Sequence, residues 1–548
     1  MHQTPQGVQS VRKTLTLGQR VLEKGSIVFE RGVANRIGVC ADQRAWVAQC
    51  AFLASLCVGA VPALAAEPSA GRLEPLMLEE LVSRLREVNK EIRIKRAERD
   101  IAATGIDRAA ASFQPVGKVG ATRSRNNQPN TYEETLARSL QSNYLREGYD
   151  YSATVTRLLG TGARIELGST LSNFVTNINQ MSAGRPPGAR DNRANWGLTL
   201  VQPLARDGGV EVTSARGRVA ELDLAVANHT SLEGESAVVA SAVIGYYELV
   251  LAQHRVAAAQ EKLENARRLV VQARELARKG LLPETEVWDV QNTVSRHLAG
   301  LDEARQGVLE LQDRLNTFLL ASSIEDPRRW QAVDSLPEIP VQPEVVGMEE
   351  AYRRALESRQ DFQKLRKQLE REGVQLGYVT NQAQHRLDLT ASYGLSGLAY
   401  APETAFKQSL QTAYPRWSFG LQLEIPIGKN LEGQANLAAA NLRRQNALLE
   451  LKALEVQIAN DLHTSMNMMT SAARRWAQWQ DVATREQQQV EFERQRFAAG
   501  RSATREILMR EERAVNARLS LIEQQATYAR ARVVFESAQG LLLQRWSR

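Results

Sequence analysis

One octapeptide occurs twice in this chain, and each time a very long helical run follows it. Trp196-Gly197-Leu198-Thr199-Leu200-Val201-Gln202-Pro203 returns as Phe419-Gly420-Leu421-Gln422-Leu423-Glu424-Ile425-Pro426, 223 positions later. Apolar residues alternate with polar or small ones in both copies, the period of a strand whose two faces meet different surroundings. Proline then removes a hydrogen-bond donor and ends the pairing. Each octapeptide therefore marks a strand-to-helix junction, with Pro203 and Pro426 at its end.

The helical runs limit the fold further. Between Val210 and Lys279 there is no proline, and a helix of that extent spans roughly 105 Å at about 1.5 Å per residue. It breaks at Gly280-Leu281-Leu282-Pro283 and returns as a shorter helix from Glu284 to Leu320. The second copy runs from Ala435 to Ala499, breaks at Gly500-Arg501-Ser502-Ala503 and returns from Thr504 to Leu543. Gly280 aligns with Gly500 and Glu286 with Glu506, both at an offset of 220.

A second internal match precedes the strands. Leu78 to Gln114 and Met348 to Gln384 both read as helix and align at an offset of 270, Arg84 on Arg354 and Arg96 on Arg366. Two copies of one unit explain this. Strands are expected after each helix, from Val116, just past Pro115, to Arg123 and from Arg386 to Tyr393. The drop in offset from 270 to 223 leaves about 47 extra residues in the first copy. Two alternating stretches, Tyr149 to Leu158 and Ala163 to Phe174, fill them, joined by Gly160-Thr161-Gly162 as a hairpin turn.

The expected division is a leader at 1–65, a first repeat at 66–323, a proline-rich connector at 324–347 and a second repeat at 348–548. The connector holds Pro327, Pro337, Pro340 and Pro343 and is expected to be irregular. The leader has basic residues, an apolar run from Ala45 to Ala66 and a small-residue site at Ala63-Leu64-Ala65, the pattern of a secretory signal peptide. It is long for one, which fits translation beginning later, near Val39; an uncleaved anchor is the alternative. Leu56 argues against a lipid anchor on Cys57, because a lipoprotein signal wants a small residue there. All three cysteines lie in this leader.

The formal charge of +7 comes partly from the leader, whose seven Lys or Arg outweigh three Asp or Glu and leave +3 beyond it. No nucleic-acid footprint remains. Catalytic metal spacing is absent from the sequence, and no cofactor is expected. His463-Thr464-Ser465-Met466-Asn467-Met468-Met469 contains soft-metal ligands, but methionines at helical spacing are read as packing.

One copy supplies too few strands to close a sheet, and exposed edges are unstable, so strands are expected to be pooled among subunits. Strands of eight to ten alternating residues can cross a bilayer as a barrel.

At this point the chain resembles the TolC family of outer-membrane efflux proteins. The doubled helix-strand-strand-helix unit, Gln202-Pro203-Leu204, Ile425-Pro426-Ile427-Gly428 and the breaks at Gly280 and Gly500 carry the resemblance. It implies a mainly α fold with β, a TolC-like homotrimer with four strands per subunit in a transmembrane β-barrel and long antiparallel helices forming a periplasmic tunnel. It also implies an outer-membrane address, contact with outer-membrane lipid, a periplasmic adaptor at the tips (Gly280-Leu281 and Gly500-Arg501), and an inner-membrane pump of the RND, ABC or MFS type. Acidic residues near the tips form a constriction in the family; Glu286, Asp289 and Glu506 are the candidates here, and Met509 stands where a further acid is usual. The extra hairpin is expected on the extracellular side, or else as two more barrel strands. The function implied is passive export, by efflux or type I secretion, with no enzyme activity. A periplasmic coiled-coil scaffold without a pore is the alternative.

Overall fold

The computed structural model describes residues 73–138, 140–180, 188–320, 328–340, 347–499 and 501–546. The leader and Gly500 lie outside them. The first half runs β1 (Leu73–Leu76), α1 (Leu78–Val88), α2 (Lys90–Ala110), β2 (Val116–Pro129), α3 (Tyr132–Ala137), β3 (Asn143–Leu158), β4 (Arg164–Thr176), α4 (Asn177–Gln180), β5 (Asp191–Pro203), α5 (Val210–Arg278) and α6 (Glu284–Leu319). The second runs β6 (Arg329–Ala332), α7 (Met348–Ser358), α8 (Gln360–Gln382), β7 (Arg386–Ala399), α9 (Pro402–Ser409), β8 (Pro415–Glu424), α10 (Leu431–Ala498), α11 (Thr504–Ala538) and α12 (Leu542–Arg545).

Both helices expected to be continuous are interrupted at equivalent places, Asn89 and Arg359. Neither residue is glycine or proline, so the break is held by tertiary partners. The Asn89 side chain accepts hydrogen bonds from the amides of Glu91 and Ile92, capping α2, and donates to the Phe318 carbonyl at 3.0 Å. The bend turns Arg86 and Arg96 onto the buried Glu235 of α5, at 2.6 and 3.1 Å. At the second break Arg359 meets Asp361 at 2.7 Å and Asp461 at 3.1 Å. Burial opposes the Arg359 charge, but those two carboxylates outweigh it and raise the guanidinium pKa.

The main core lies at this level of the helices. Leu81 and Leu85 of α1, Val239, Val243 and Tyr246 of α5, Leu315 of α6 and Val533 of α11 are buried in one cluster. An eighteen-residue stretch of α5 is apolar enough to cross a membrane, yet two-thirds of it is buried here, which identifies it as a core segment. The connector, expected to be irregular, supplies a strand: β6 pairs in parallel with β1, Leu73 opposite Arg329 through Leu76 opposite Ala332. Trp330 anchors it, donating from its indole to Asn316 at 2.5 Å while Gln312 donates to its carbonyl at 2.7 Å. Tyr246 donates to the Leu76 carbonyl and Asp334, and burial pushes its phenol well above its ordinary range.

The other strands form one antiparallel sheet in the order β2-β3-β4-β5-β7-β8. The sheet of one chain thus has six strands, where the resemblance implies four per subunit in a barrel. The two alternating stretches are β3 and β4, paired with each other and, on their outer sides, with β2 and β5. Their connecting turn closes with Gly162 donating to Leu159 and Leu159 to Ala163. The turn lies at the helix-side end of the sheet, where Gly209 donates to the Thr161 carbonyl at 3.1 Å, and not beyond its far end.

Asn89→Ala should speed hydrogen exchange at the Glu91 and Ile92 amides by roughly fivefold, matching a lost cap of ~1 kcal/mol. Exchange measured by mass spectrometry at peptide 89–96 checks this, and unchanged protection would show that the bend does not depend on Asn89.

Candidate functional site

Three regions bear on function: the sheet faces, the passage from sheet to helix, and the helical tips. Cross-strand partners lie on the same face of a sheet, and neighbours along a strand on opposite faces. One face carries Val119, Tyr151, Val155, Leu167, Leu198, Tyr393, Phe419 and Leu421, all exposed. The other carries Thr122, Thr154, Thr156, Thr170, Thr199, Ser392 and Ser418. β3 and β4 share this division with the other strands, and the first face also carries Arg123, Arg125, Glu147 and Arg157 on β2 and β3.

Aromatic residues collect at one level of the apolar face. Tyr151, Trp196, Tyr393 and Trp417 each stand seven residues from the helix-side end of their strands, and Tyr393 is directly opposite Trp417. Such a row is what the boundary between hydrocarbon and headgroups favours. α9 folds onto this face: Phe406 meets Trp196 edge-on at 5.7 Å, and a side chain at Gly397 would strike the Ala405 carbonyl.

The three prolines stand where strands meet helices, Pro115 just before β2, Pro203 as the last residue of β5 and Pro426 two residues past β8. Asn381 of α8 ties the first passage down, accepting from the Asp207 amide at 2.8 Å and donating to the Ala205 carbonyl at 3.0 Å. Asn430 does so for the second, accepting from Gly433 and donating to Ala383. Neither asparagine stands out in the sequence, because each works through a residue distant in the chain.

At the first tip Gly280 adopts φ +70°, the left-handed conformation that ends a helix, with its amide on Ala277 and the Leu281 amide on Leu276. Leu281 is 70% exposed. The second tip has the same hydrogen bond, Arg501 to Arg496. Glu286 and Glu506 occupy matching first turns, their amides on Pro283 and Ala503. Their side chains differ. Glu286 has one carboxylate oxygen, Oε2, buried without a hydrogen-bond partner, and Asp289 is exposed. Glu506 is paired with Arg510 at 3.2 Å. Nearby Glu511 is held by Arg494 at 2.7 Å, and the buried Glu493 by Arg496 and the Ser502 hydroxyl. Arginines of the same hairpin thus balance the acids around the second tip.

Ion pairs also join the two hairpins. Arg255 meets Glu523 at 2.8 Å, Arg518 meets Glu261, and Arg530 meets Glu248, which Arg314 of its own hairpin also holds. His297 lies 2.9 Å from Glu512 without hydrogen-bond alignment. The sequence reading did not single out Trp288, which is 58% exposed close to the first tip; a large exposed apolar side chain among charges was the available signal. Met466 and Met469 pack against the cluster around Ile458 and Leu462, the packing role expected of them.

A two-faced antiparallel sheet whose strands pass into helical hairpins of this length defines the fold of TolC-type outer-membrane channels. Solved structures share it. The outer-membrane channel OprN is 15% identical, with 84% of this chain and 89% of that chain covered and a TM-score of 0.60. The outer-membrane channel CmeC of Campylobacter jejuni is 15% identical, covering 84% and 85%, with a TM-score of 0.60. The outer-membrane protein VceC of Vibrio cholerae is 14% identical, covering 84% and 96%, with a TM-score of 0.59. No protein-family profile matches the sequence. No curated protein matches it either.

If the second tip lines a passage, Glu506→Gln and Arg510→Ala should move its ion selectivity in opposite directions, toward anions and cations respectively. Each shift should be roughly twofold, the equivalent of ~0.5 kcal/mol for a half-exposed pair. Reversal potentials across a bilayer measure it; a shift for Glu506→Gln alone would show that Arg510 does not balance that carboxylate.

Proposed function

We propose that this protein is the outer-membrane channel of a tripartite export system, a passive conduit that catalyses no reaction. Three copies pool their sheets into a transmembrane barrel, with the apolar face against lipid and the polar face lining water. The helices carry the passage through the periplasm. A periplasmic adaptor docks at Gly280-Leu281 and Gly500-Arg501, and an inner-membrane pump supplies the energy and chooses between efflux and type I secretion. Glu286, Asp289 and Glu506 are the acidic candidates at the closed end.

The single observation that carries this reading is the apolar face running through all six strands. Exposed Val119, Val155, Leu198, Phe419 and Leu421 would aggregate in water, whereas lipid accommodates them and demands only that the backbone be paired. A periplasmic scaffold without a pore gives that face no purpose. The length of α5, 69 residues, supports the periplasmic span, since it reaches ~104 Å at about 1.5 Å per residue.

The mature protein should need detergent for extraction, run as a trimer and give discrete single-channel currents in planar bilayers. A soluble, monomeric product without conductance would defeat the proposal.

A further inference from the structure

The hairpin β3–β4 is the structural feature that sets this chain apart from a subunit giving four strands. We propose that it crosses the membrane, so that three copies close an eighteen-stranded barrel about half again as wide as a twelve-stranded one. This rests on the channel reading above and adds the width of its outer opening.

Four observations carry it. The first is chemical. Tyr151, Val155 and Leu167 continue the apolar face of β5 and β7, while Thr154, Thr156 and Thr170 continue the polar one. A hairpin standing in water above the membrane has no use for that division.

The second is register. A line perpendicular to the strands from Val116 passes through Thr156, Glu166, Thr199, Ser392 and Ser418. Measured from the helix-side strand ends, the crossing points climb by 0, 2, 2, 4, 6 and 6 residues, so β3 and β4 share one steady stagger with the rest. Six residues over five strand spacings is a tilt of about 40°, within the range of closed transmembrane barrels.

The third is fit to the helices below. α2, α5, α8 and α10 lie side by side in that order, and β2, β5, β7 and β8 join them in the same order, with the hairpin between β2 and β5. Four packed helices are ~30 Å across between outer axes at about 10 Å each. Six strands tilted by about 40° span ~31 Å, whereas four span only ~19 Å. The hairpin makes the barrel rim as broad as the helical layer that carries it.

The fourth is attachment. A side chain at Gly162 would meet the Asp207 carbonyl at 2.4 Å, and Gln202 bonds to Thr161 at 3.1 and 3.2 Å. The turn is thus seated on the passage from β5 into α5.

Barrel diameter grows nearly in proportion to strand number, so bulkier solutes are admitted. Arg146 and Arg164 are balanced by Asp150 and Glu166 on the polar face, which leaves the added wall without net charge. The hairpin changes width and not sign.

Single cysteines at Val155, Leu167, Thr154 and Thr170 test this in the full-length mature protein in liposomes, with the trimer verified independently by native mass spectrometry. A charged, water-soluble thiol reagent should modify Thr154→Cys and Thr170→Cys at least tenfold faster than Val155→Cys and Leu167→Cys. Nitroxides at the latter pair should collide with oxygen more than with a polar nickel reagent. Equal, rapid modification of all four in an intact trimer overturns the eighteen-stranded barrel and leaves the channel reading standing; loss of the trimer itself defeats that reading.

Discussion

The structure depends on a backbone constraint. β2 and β8 are the outer strands of the six-stranded sheet, and each presents a row of amides and carbonyls that pairs with no further strand among the described residues. In hydrocarbon each such group costs several kcal/mol, and a closed ring of strands is the sheet arrangement that satisfies them all. The sheet has one apolar face and a uniform stagger, so neighbouring copies can continue it without reversing either face. Closure between copies in the proposed channel is the consequence of those edges.

The helices have a different problem. α5 and α10 are 69 and 68 residues long, and no intrinsic propensity holds helices of that length side by side. Packed clusters do so: Leu81 of α1, Leu315 of α6 and Val533 of α11 are buried with Tyr246 of α5, where the parallel pair β1–β6 closes the side, and Ile458 and Leu462 of α10 are buried with Ala355 of α7, Phe362 of α8 and Phe535 of α11. The bends at Asn89 and Arg359 fall beside these clusters, and Glu235 gathers Arg86 and Arg96 at the first. Further along, exposed ion pairs between the hairpins are worth little singly. Near the tips the hairpins also meet through a small apolar cluster, Leu269 and Val290 of the first with Phe497 and Ile507 of the second.

Much of this was legible in the sequence because it is local. Alternation in the octapeptides gave β5 and β8, the absence of proline gave α5 and α10, and Gly280 gave a helix end that needs φ +70°. The features that escaped are those set by distant contacts. Asn89 breaks a helix by bonding to Phe318, and Trp330 forms a strand because β1, far away in sequence, lies beside it. Alternation identified Tyr149–Leu158 and Ala163–Phe174 as strands but carried no information about their neighbours, so it left two places open, the extracellular side or two more barrel strands. The pairing of Glu506 with Arg510 lay within reach of sequence reasoning, being one helical turn apart, and it changes the charge expected of the tip.

Closure between copies is the central claim, and a disulfide tests it directly. The perpendicular from Val116 reaches β8 at Ser418, and the same stagger carried onto the next copy arrives at about Thr122 or Ser124, on the same polar face. Beyond the leader the chain has no cysteine of its own. Oxidising the double variants Ser418→Cys/Thr122→Cys and Ser418→Cys/Ser124→Cys in outer membranes should yield covalent dimers and trimers that reducing agent dissolves, with none of the three single variants cross-linking. Monomers alone from both, in membranes where the protein is correctly inserted, would contradict the account.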